Sequence, residues 1–228
     1  DGAWNVFVGK GQTLVMGGTA AQLTTLPGGT DVIEHEVAVT SLSGTQVITD
    51  QLTGGEIGGL LNFRSQILDS AQNQLGLVAI GISHRVNAQH ALGLDLEGNP
   101  GTDIFSSPPI TVLANSANSS AAIVGATMVD SGNLTASDYH LEADGADQFT
   151  LTRLSDGQAF SPLAAGVTAE IDGFTLDIPA GIAAGNEYLI QPTRHAASLL
   201  TLEIMDPRKF AAAGPLLAQP GSNSGSAA

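Results

Sequence analysis

The sequence predicts an α+β chain: an antiparallel β-sandwich or barrel-like domain, joined to a partial helical domain that carries a β-hairpin segment. Three observations predict it. Apolar and polar residues alternate over short stretches in residues 1–53 and 104–204, the period-2 pattern of half-buried strands. Between them, from Ile57 to Arg85, the apolar period changes to steps of four and three, which is helical. In the later stretch, Asp-Gly pairs and other turn residues separate the candidate strands at the spacing usual for antiparallel sandwiches.

Residues 1–54 form the β-hairpin segment. Trp4, Val6 and Val8 alternate with Asn5 and Phe7, and Gly9-Lys10-Gly11 supplies a turn before Thr13 to Met16. Ile33, Val37 and Val39 then alternate with Glu34, Glu36 and Ala38, a strand with one wet face. Glu34-His35-Glu36 has metal-ligand residue types, but alternation sends His35 and the glutamates to opposite faces, so a solvated edge is expected.

Residues 55–103 form the helical segment. Ile57, Leu61, Arg64, Leu68, Ala71, Leu75, Val78, Ile82 and Arg85 make a heptad-like seam, widened by Leu60, Phe63 and Ile67. The packing and self-association positions are Ile57, Leu61, Leu68, Leu75, Val78 and Ile82. Asp69 or Ser70 could cap a second helix, so the pattern allows one long helix or two joined near Leu68. Gly58, Gly59, Gly76 and Gly81 each weaken a helix by roughly 1 kcal/mol relative to Ala, so this helix should depend on packing partners. Residues 1–53 and a second copy of the chain are expected to share the cover. Gly93 is a plausible C-cap, and Gly98-Asn99-Pro100-Gly101 is a turn.

Residues 104–204 form the outer β domain. Strands 138–143 and 148–154 flank Asp144-Gly145-Ala146-Asp147; strands 167–171 and 174–178 flank Asp172-Gly173, where both positions favour positive φ. Further strands are predicted over 187–191 and 199–205. Residues 205–228 open a helix, with Asp206 as N-cap, Pro207 in the first turn and helix over 208–213, and end in a Gly-, Ser- and Ala-rich tail.

Composition narrows the function classes. The formal charge is −15, and residues 104–204 carry 11 acidic against 2 basic side chains. With no cation cluster, binding to nucleic acid or to anionic lipid is excluded. The absence of Cys removes disulfides and thiolate metal sites. The longest near-apolar run, Leu75 to Ile82, cannot span a bilayer. The loop from Asp95 to Asp103 has oxygen ligands at alternate positions, but Pro100 and Ser106 stand where a calcium loop needs Gly and Glu, so an Asx turn is expected. His84 and His90 are six apart rather than the four a helical zinc pair requires. Gly81-Ile82-Ser83-His84-Arg85 lacks the last Gly of a nucleophile elbow. No metal, cofactor or catalytic residue is expected, and the chain is read as non-enzymatic.

The stretch Gly54-Gly55-Glu56-Ile57-Gly58-Gly59-Leu60-Leu61-Asn62-Phe63-Arg64-Ser65-Gln66-Ile67-Leu68-Asp69 closely resembles the bacterial flagellar hook-associated protein 1 family. The likeness continues through Asn73-Gln74-Leu75-Gly76, Arg85-Val86-Asn87-Ala88-Gln89-His90, Gly93 and Gly98-Asn99. Thr135-Ala136-Ser137-Asp138-Tyr139, Thr152-Arg153-Leu154, Asp172-Gly173-Phe174 and Asp206-Pro207 extend it into the later β region. The resemblance implies a structural subunit of the hook–filament junction, extracellular and exported by the flagellar type III system without a cleaved signal. It implies as partners other copies in the junction ring, hook protein, and the next junction protein on the filament side. An export chaperone would bind only through family regions that this sequence does not include, and the abrupt start at Asp1 reads as that of a fragment. The alternatives are another axial protein, hook-like or flagellin-like, and a secreted adhesin or carbohydrate-binding β module.

Overall fold

The computed structural model describes residues 4–214. The N-terminal segment folds as two small antiparallel sheets. One joins β1 (Val6–Val8), β2 (Gln12–Met16) and β3 (Thr19–Ala20); the other joins β4 (Gln22–Leu26), β5 (Glu36–Ser41) and β6 (Gly44–Val47). The β1–β2 turn needs Gly9: its φ is +59°, and a Cβ there would lie 2.5 Å from the Gln51 carbonyl oxygen. Val39, Ile48 and Leu52 form a small core that also holds Val8, Leu14, Val37 and Leu61. Ile33 and Glu34, expected to begin a strand, lie in a turn that starts at Asp31 instead. The Asp31 carboxylate accepts the Ile33 N–H, and the Asp31 carbonyl accepts the Glu34 N–H.

The helical segment is continuous from α1 (Gly55–Phe63) through a π-helical turn (Arg64–Leu68) into α2 (Asp69–Ala91). Asp69 keeps helical dihedrals and caps nothing, which settles the choice between one helix and two. The expected seam is divided all the same. At 3.6 residues per turn, the extra residue of a π turn rotates the downstream helix by about 100°. Ile57 and Leu61 therefore face a different direction from Leu75, Val78 and Ile82. The helix ends at Ala91, and Gly93, two residues on, is not among the glycines with positive φ, so it is not a left-handed cap. A Cβ there would meet the Ala211 carbonyl oxygen at 2.1 Å, so close chain approach is what requires glycine.

The later region is a two-sheet sandwich, not a closed barrel. One sheet has the order β11–β10–β9–β14–β7, built from β7 (Thr111–Ala114), β9 (Tyr139–Gly145), β10 (Gln148–Arg153), β11 (Ala159–Ala164) and β14 (Glu187–Gln191). The facing sheet runs β12–β13–β8, from β8 (Gly125–Met128), β12 (Ala169–Ile171) and β13 (Phe174–Asp177). Every pairing is antiparallel. Alternation fixes the register: Tyr139, Leu141, Phe149, Leu151, Tyr188 and Ile190 point inward from the first sheet, and Phe174 and Leu176 from the second. Tyr139 meets Phe174 edge-on at 5.0 Å between ring centroids, a geometry that adds to plain area burial. Asp172 and Gly173 both have positive φ, +48° and +82°, as a tight right-twisted hairpin demands.

Two expectations after residue 190 are corrected. Residues 199–205 do not form a strand. The short helix α3 (Ala196–Leu199) lies against α2, and residues 199–205 contribute only an isolated bridge, Phe105 to Leu202. Residues 208–213 do not form a helix. Asp206 caps Arg208 as expected, but only a 3-10 turn, Pro207–Lys209, results. Beyond it the backbone donors are drawn sideways: the Ala211 N–H goes to His90, and Ala213 and Leu94 exchange N–H and C=O. The tail beyond residue 214 lies outside the described residues.

Candidate assembly interface

The long helix has two contrasting faces. Its inward positions are Asn73, Gly76, Ile80, Ser83, Asn87 and His90, all buried at steps of three and four. Only Ile80, with its half-buried neighbour Leu77, enters the apolar core of the sandwich. The rest of this face receives backbone. A Cβ on Gly76 would lie 1.7 Å from the Thr193 carbonyl oxygen, so the turn after β14 rests directly on the helix. Beside it the Thr193 hydroxyl donates to Asn73 Oδ1 at 2.6 Å. Asn87 Oδ1 accepts the N–H groups of Ile104 and Phe105, while its Nδ2 donates to the Phe105 carbonyl at 2.8 Å. His90 Nε2 accepts the Ala211 N–H at 2.7 Å, so the ring proton sits on Nδ1 and is given to the Thr102 carbonyl at 2.6 Å.

Among the described residues, nothing covers the opposite, apolar face. Leu75, Val78 and Ile82 are 62 %, 57 % and 52 % exposed. Upstream of the π turn, Ile57, Leu60 and Phe63 are also exposed, as are Ile67 and Leu68 within it. Of the six seam positions, only Leu61 packs on the small N-terminal core. Residues 1–53 therefore cover one of the six seam positions, Leu61, and leave the other five exposed. Fully burying a Leu or Ile is worth roughly 1.5–3 kcal/mol. Half-exposed as they stand, each seam residue leaves about 1 kcal/mol to be gained when another surface covers it.

A charged cluster ties the two faces' supports together. Arg194 Nη1 contacts Glu34 Oε1 at 2.6 Å and Asp69 Oδ1 at 3.0 Å, and its Nη2 pairs with Asp138. Burial pushes the Asp138 carboxyl above its ordinary pKa, although Arg194 and Asn73 oppose the shift. Burial alone would lower the Arg194 pKa, but Asp138, Asp69 and Glu34 together raise it and hold the guanidinium charged. Glu34 is thus a structural ion-pair partner rather than the solvated edge residue that alternation suggests. The cluster joins positions 34, 69, 138 and 194, and no local motif marks it; a single Arg at the end of an apolar strand, in a cation-poor chain, is its one signal.

The remaining candidates resolve simply. The Asp95 carboxylate accepts the backbone N–H groups of Glu97 and Asn99, each at 2.8 Å, and lies 3.6 Å from Lys209 Nζ. The Asn99 hydrogen bond is the main cause holding its pKa below the usual carboxylate range. These are the bonds of an Asx turn. His84 is exposed on the helix, away from the buried His90. Among the described residues, no group of three or more His, Asp or Glu side chains has metal-binding geometry, and no helix is long and apolar enough to cross a membrane.

The order of small sheets, one broken helix and a β sandwich coincides with two family models. That of the flagellar hook-associated protein FlgK helical domain matches residues 1–105, and that of the flagellar hook-associated protein 1 D2-like domain matches residues 113–192. The chain belongs to the flagellar hook-associated protein 1 family. The hook-associated protein 1 of Salmonella typhimurium is 34 % identical over 98 % of this chain, and that of Escherichia coli is 34 % identical over 93 %. The flagellar hook junction protein FlgK of Burkholderia pseudomallei superposes with a TM-score of 0.86 at 37 % identity, over 94 % of this chain. In each case the chain spans about two fifths of its relative: 41 %, 39 % and 41 % of the respective lengths.

Proposed function

We propose that this chain is part of a non-enzymatic structural subunit of the bacterial flagellum, one that acts at the hook–filament junction through subunit packing. The observation that carries the reading is the helix with its apolar face outward: Ile57, Leu68, Leu75, Val78 and Ile82 are exposed, while a polar face is spent on internal docking. Such a face is suited to receiving other helices, of the same subunit or of its neighbours. Membership of the hook-associated family supports the location. On this reading residues 1–54 and 55–103 are the inner unit, residues 104–204 are the acidic outer unit, and residues 205–214 return toward the inner unit. The partners are further copies in the junction ring, hook protein on one side and the filament-side junction protein on the other, all outside the cell.

Two measurements test this reading. Sedimentation velocity of the chain at rising concentration should show reversible self-association that weakens when Leu75 and Ile82 are both replaced by Ser. A strictly monomeric chain at every concentration would remove the seam from the proposal. Electron microscopy of a strain lacking the encoding gene should show hooks without filaments; hooks bearing normal filaments would sink the junction assignment.

A further inference from the structure

The π turn is held from both ends by one carboxylate. Arg64, its first residue, has Nε 3.8 Å from Glu34 Oε2 and donates from Nη1 to the His35 carbonyl at 3.0 Å. Asp69, the next residue after the turn, shares Arg194 Nη1 with Glu34 at 3.0 and 2.6 Å. Arg194 is anchored in turn by Asp138 on the sandwich side. The loop before β5, both ends of the π turn and the turn after β14 therefore meet at one point.

A π turn holds one residue more than the α repeat needs, and an uninterrupted α-helix is far the commoner state. The same chain has two ways to place that residue. It can keep the bulge, or it can slide the upstream helix into continuous α register. Sliding turns α1 and the attached small sheets by about 100° and advances them by about 1.5 Å along the axis. Within the turn, Ser65, Gln66, Ile67 and Leu68 are exposed; outside it, the move would also part the Ser116 N–H from the Gly29 carbonyl, a 2.7 Å bond between the sandwich and the N-terminal segment.

We propose that Arg64–Leu68 is a two-position register switch, and that the Glu34 staple to Arg64 and Arg194 selects the π position. The switch sets the angle between the N-terminal sheets with α1 and the sandwich with α2. The proposal goes beyond the assembly reading and does not depend on which neighbours the chain meets.

The chain has no Cys, so spin labels can be placed without background. One pair, Gln46→Cys with Ala159→Cys, spans the π turn; a control pair, Thr127→Cys with Ala159→Cys, lies within the sandwich. Double electron–electron resonance on the parent chain should give one spanning distance. Glu34→Ala removes a charge-assisted hydrogen bond, which shifts a two-state ratio on the order of tenfold or more. It should therefore add a second spanning distance while the control distance stays fixed. Deleting Gln66 removes the extra residue, and in that background Glu34→Ala should leave a single spanning distance. An unchanged single peak in Glu34→Ala overturns the switch. So does a second peak that survives the deletion, or a lost control distance, which would make Glu34 a plain folding residue.

Discussion

Replacing Gly76 by Ala should destabilise the protein, whereas the same change at Gly59 or Gly81 should stabilise it. All three glycines lie in helix, where Ala is favoured over Gly by about 0.8–1 kcal/mol. At Gly59 and Gly81 a Cβ would have nothing within 4 Å, so that gain should appear undiluted. At Gly76 the new Cβ would sit 1.7 Å from the Thr193 carbonyl oxygen. An ordinary contact needs roughly 3.5 Å, so the turn must retreat by about 1.5–2 Å. That retreat breaks the 2.6 Å Thr193–Asn73 hydrogen bond, worth about 1 kcal/mol, and overpacking adds about 1–3 kcal/mol. Net of the helix gain, Gly76→Ala should cost about 1–3 kcal/mol, leaving the variants some 2–4 kcal/mol apart. Urea melts followed by circular dichroism would separate the midpoints by about 1 M or more. A Gly76→Ala midpoint equal to or above the parent would refute the close docking of Thr193 on the helix.

Three further outcomes rest on the same contacts. Ile80→Ala, at a side chain only 1 % exposed, should cost about 2–4 kcal/mol by opening a cavity, while Leu75→Ala on the outward face should stay within about 0.5 kcal/mol; equal losses in urea melts would mean the helix faces are misassigned. Arg194→Met should cost about 3–5 kcal/mol at pH 7, because the buried Asp138 carboxylate loses its partner. The Asp138 pKa is raised in the fold, so its contribution to stability is intact below about pH 4 and is lost as pH rises through the folded value; the gap between variant and parent should accordingly shrink as pH falls from 7 toward 4, and a gap independent of pH would contradict the pairing. Asp95→Ala should lower stability by about 1–2 kcal/mol through its lost turn bonds, and millimolar calcium should move the melting temperature of neither parent nor variant; a calcium-dependent rise reversed by chelation would restore the cation reading of that loop.

The sandwich is legible in the sequence because its signals are local. Alternation from Tyr139 to Ala143 and from Phe149 to Leu151 places the inward residues, and Asp172-Gly173 encodes its own turn through positive φ. The choice between sandwich and barrel is not legible, since closure depends on which edge strands pair and alternation is the same either way. The π turn leaves no compositional mark, because one surplus residue alters phase without altering hydropathy. The end of the chain misleads for a related reason. Asp206-Pro207 begins a helical turn, but whether it continues is decided by partners such as His90 and Leu94, more than a hundred residues earlier. The Arg194 cluster is likewise long-range, with its acids 56 to 160 positions away by the separations of Asp138 and Glu34.

The helix shows why hydrophobic period alone can point to the wrong side. In a monomeric globule the apolar stripe of a helix marks the inside. Here Leu75, Val78 and Ile82 lie on one stripe, and they face out. The inside is marked by Asn73, Gly76, Ser83, Asn87 and His90, residues a burial scale would place in water. What they bury is peptide backbone from Thr102, Ile104, Phe105, Thr193 and Ala211. Buried peptide groups need hydrogen-bond partners or bare glycine surface, and apolar side chains offer neither. A helix that docks loops on one side and other helices on the other must therefore be polar inward and apolar outward. Once both faces carry period 3.5, deciding which is the core requires asking what each would touch, and under the proposed function the outward face of this chain would meet other chain segments.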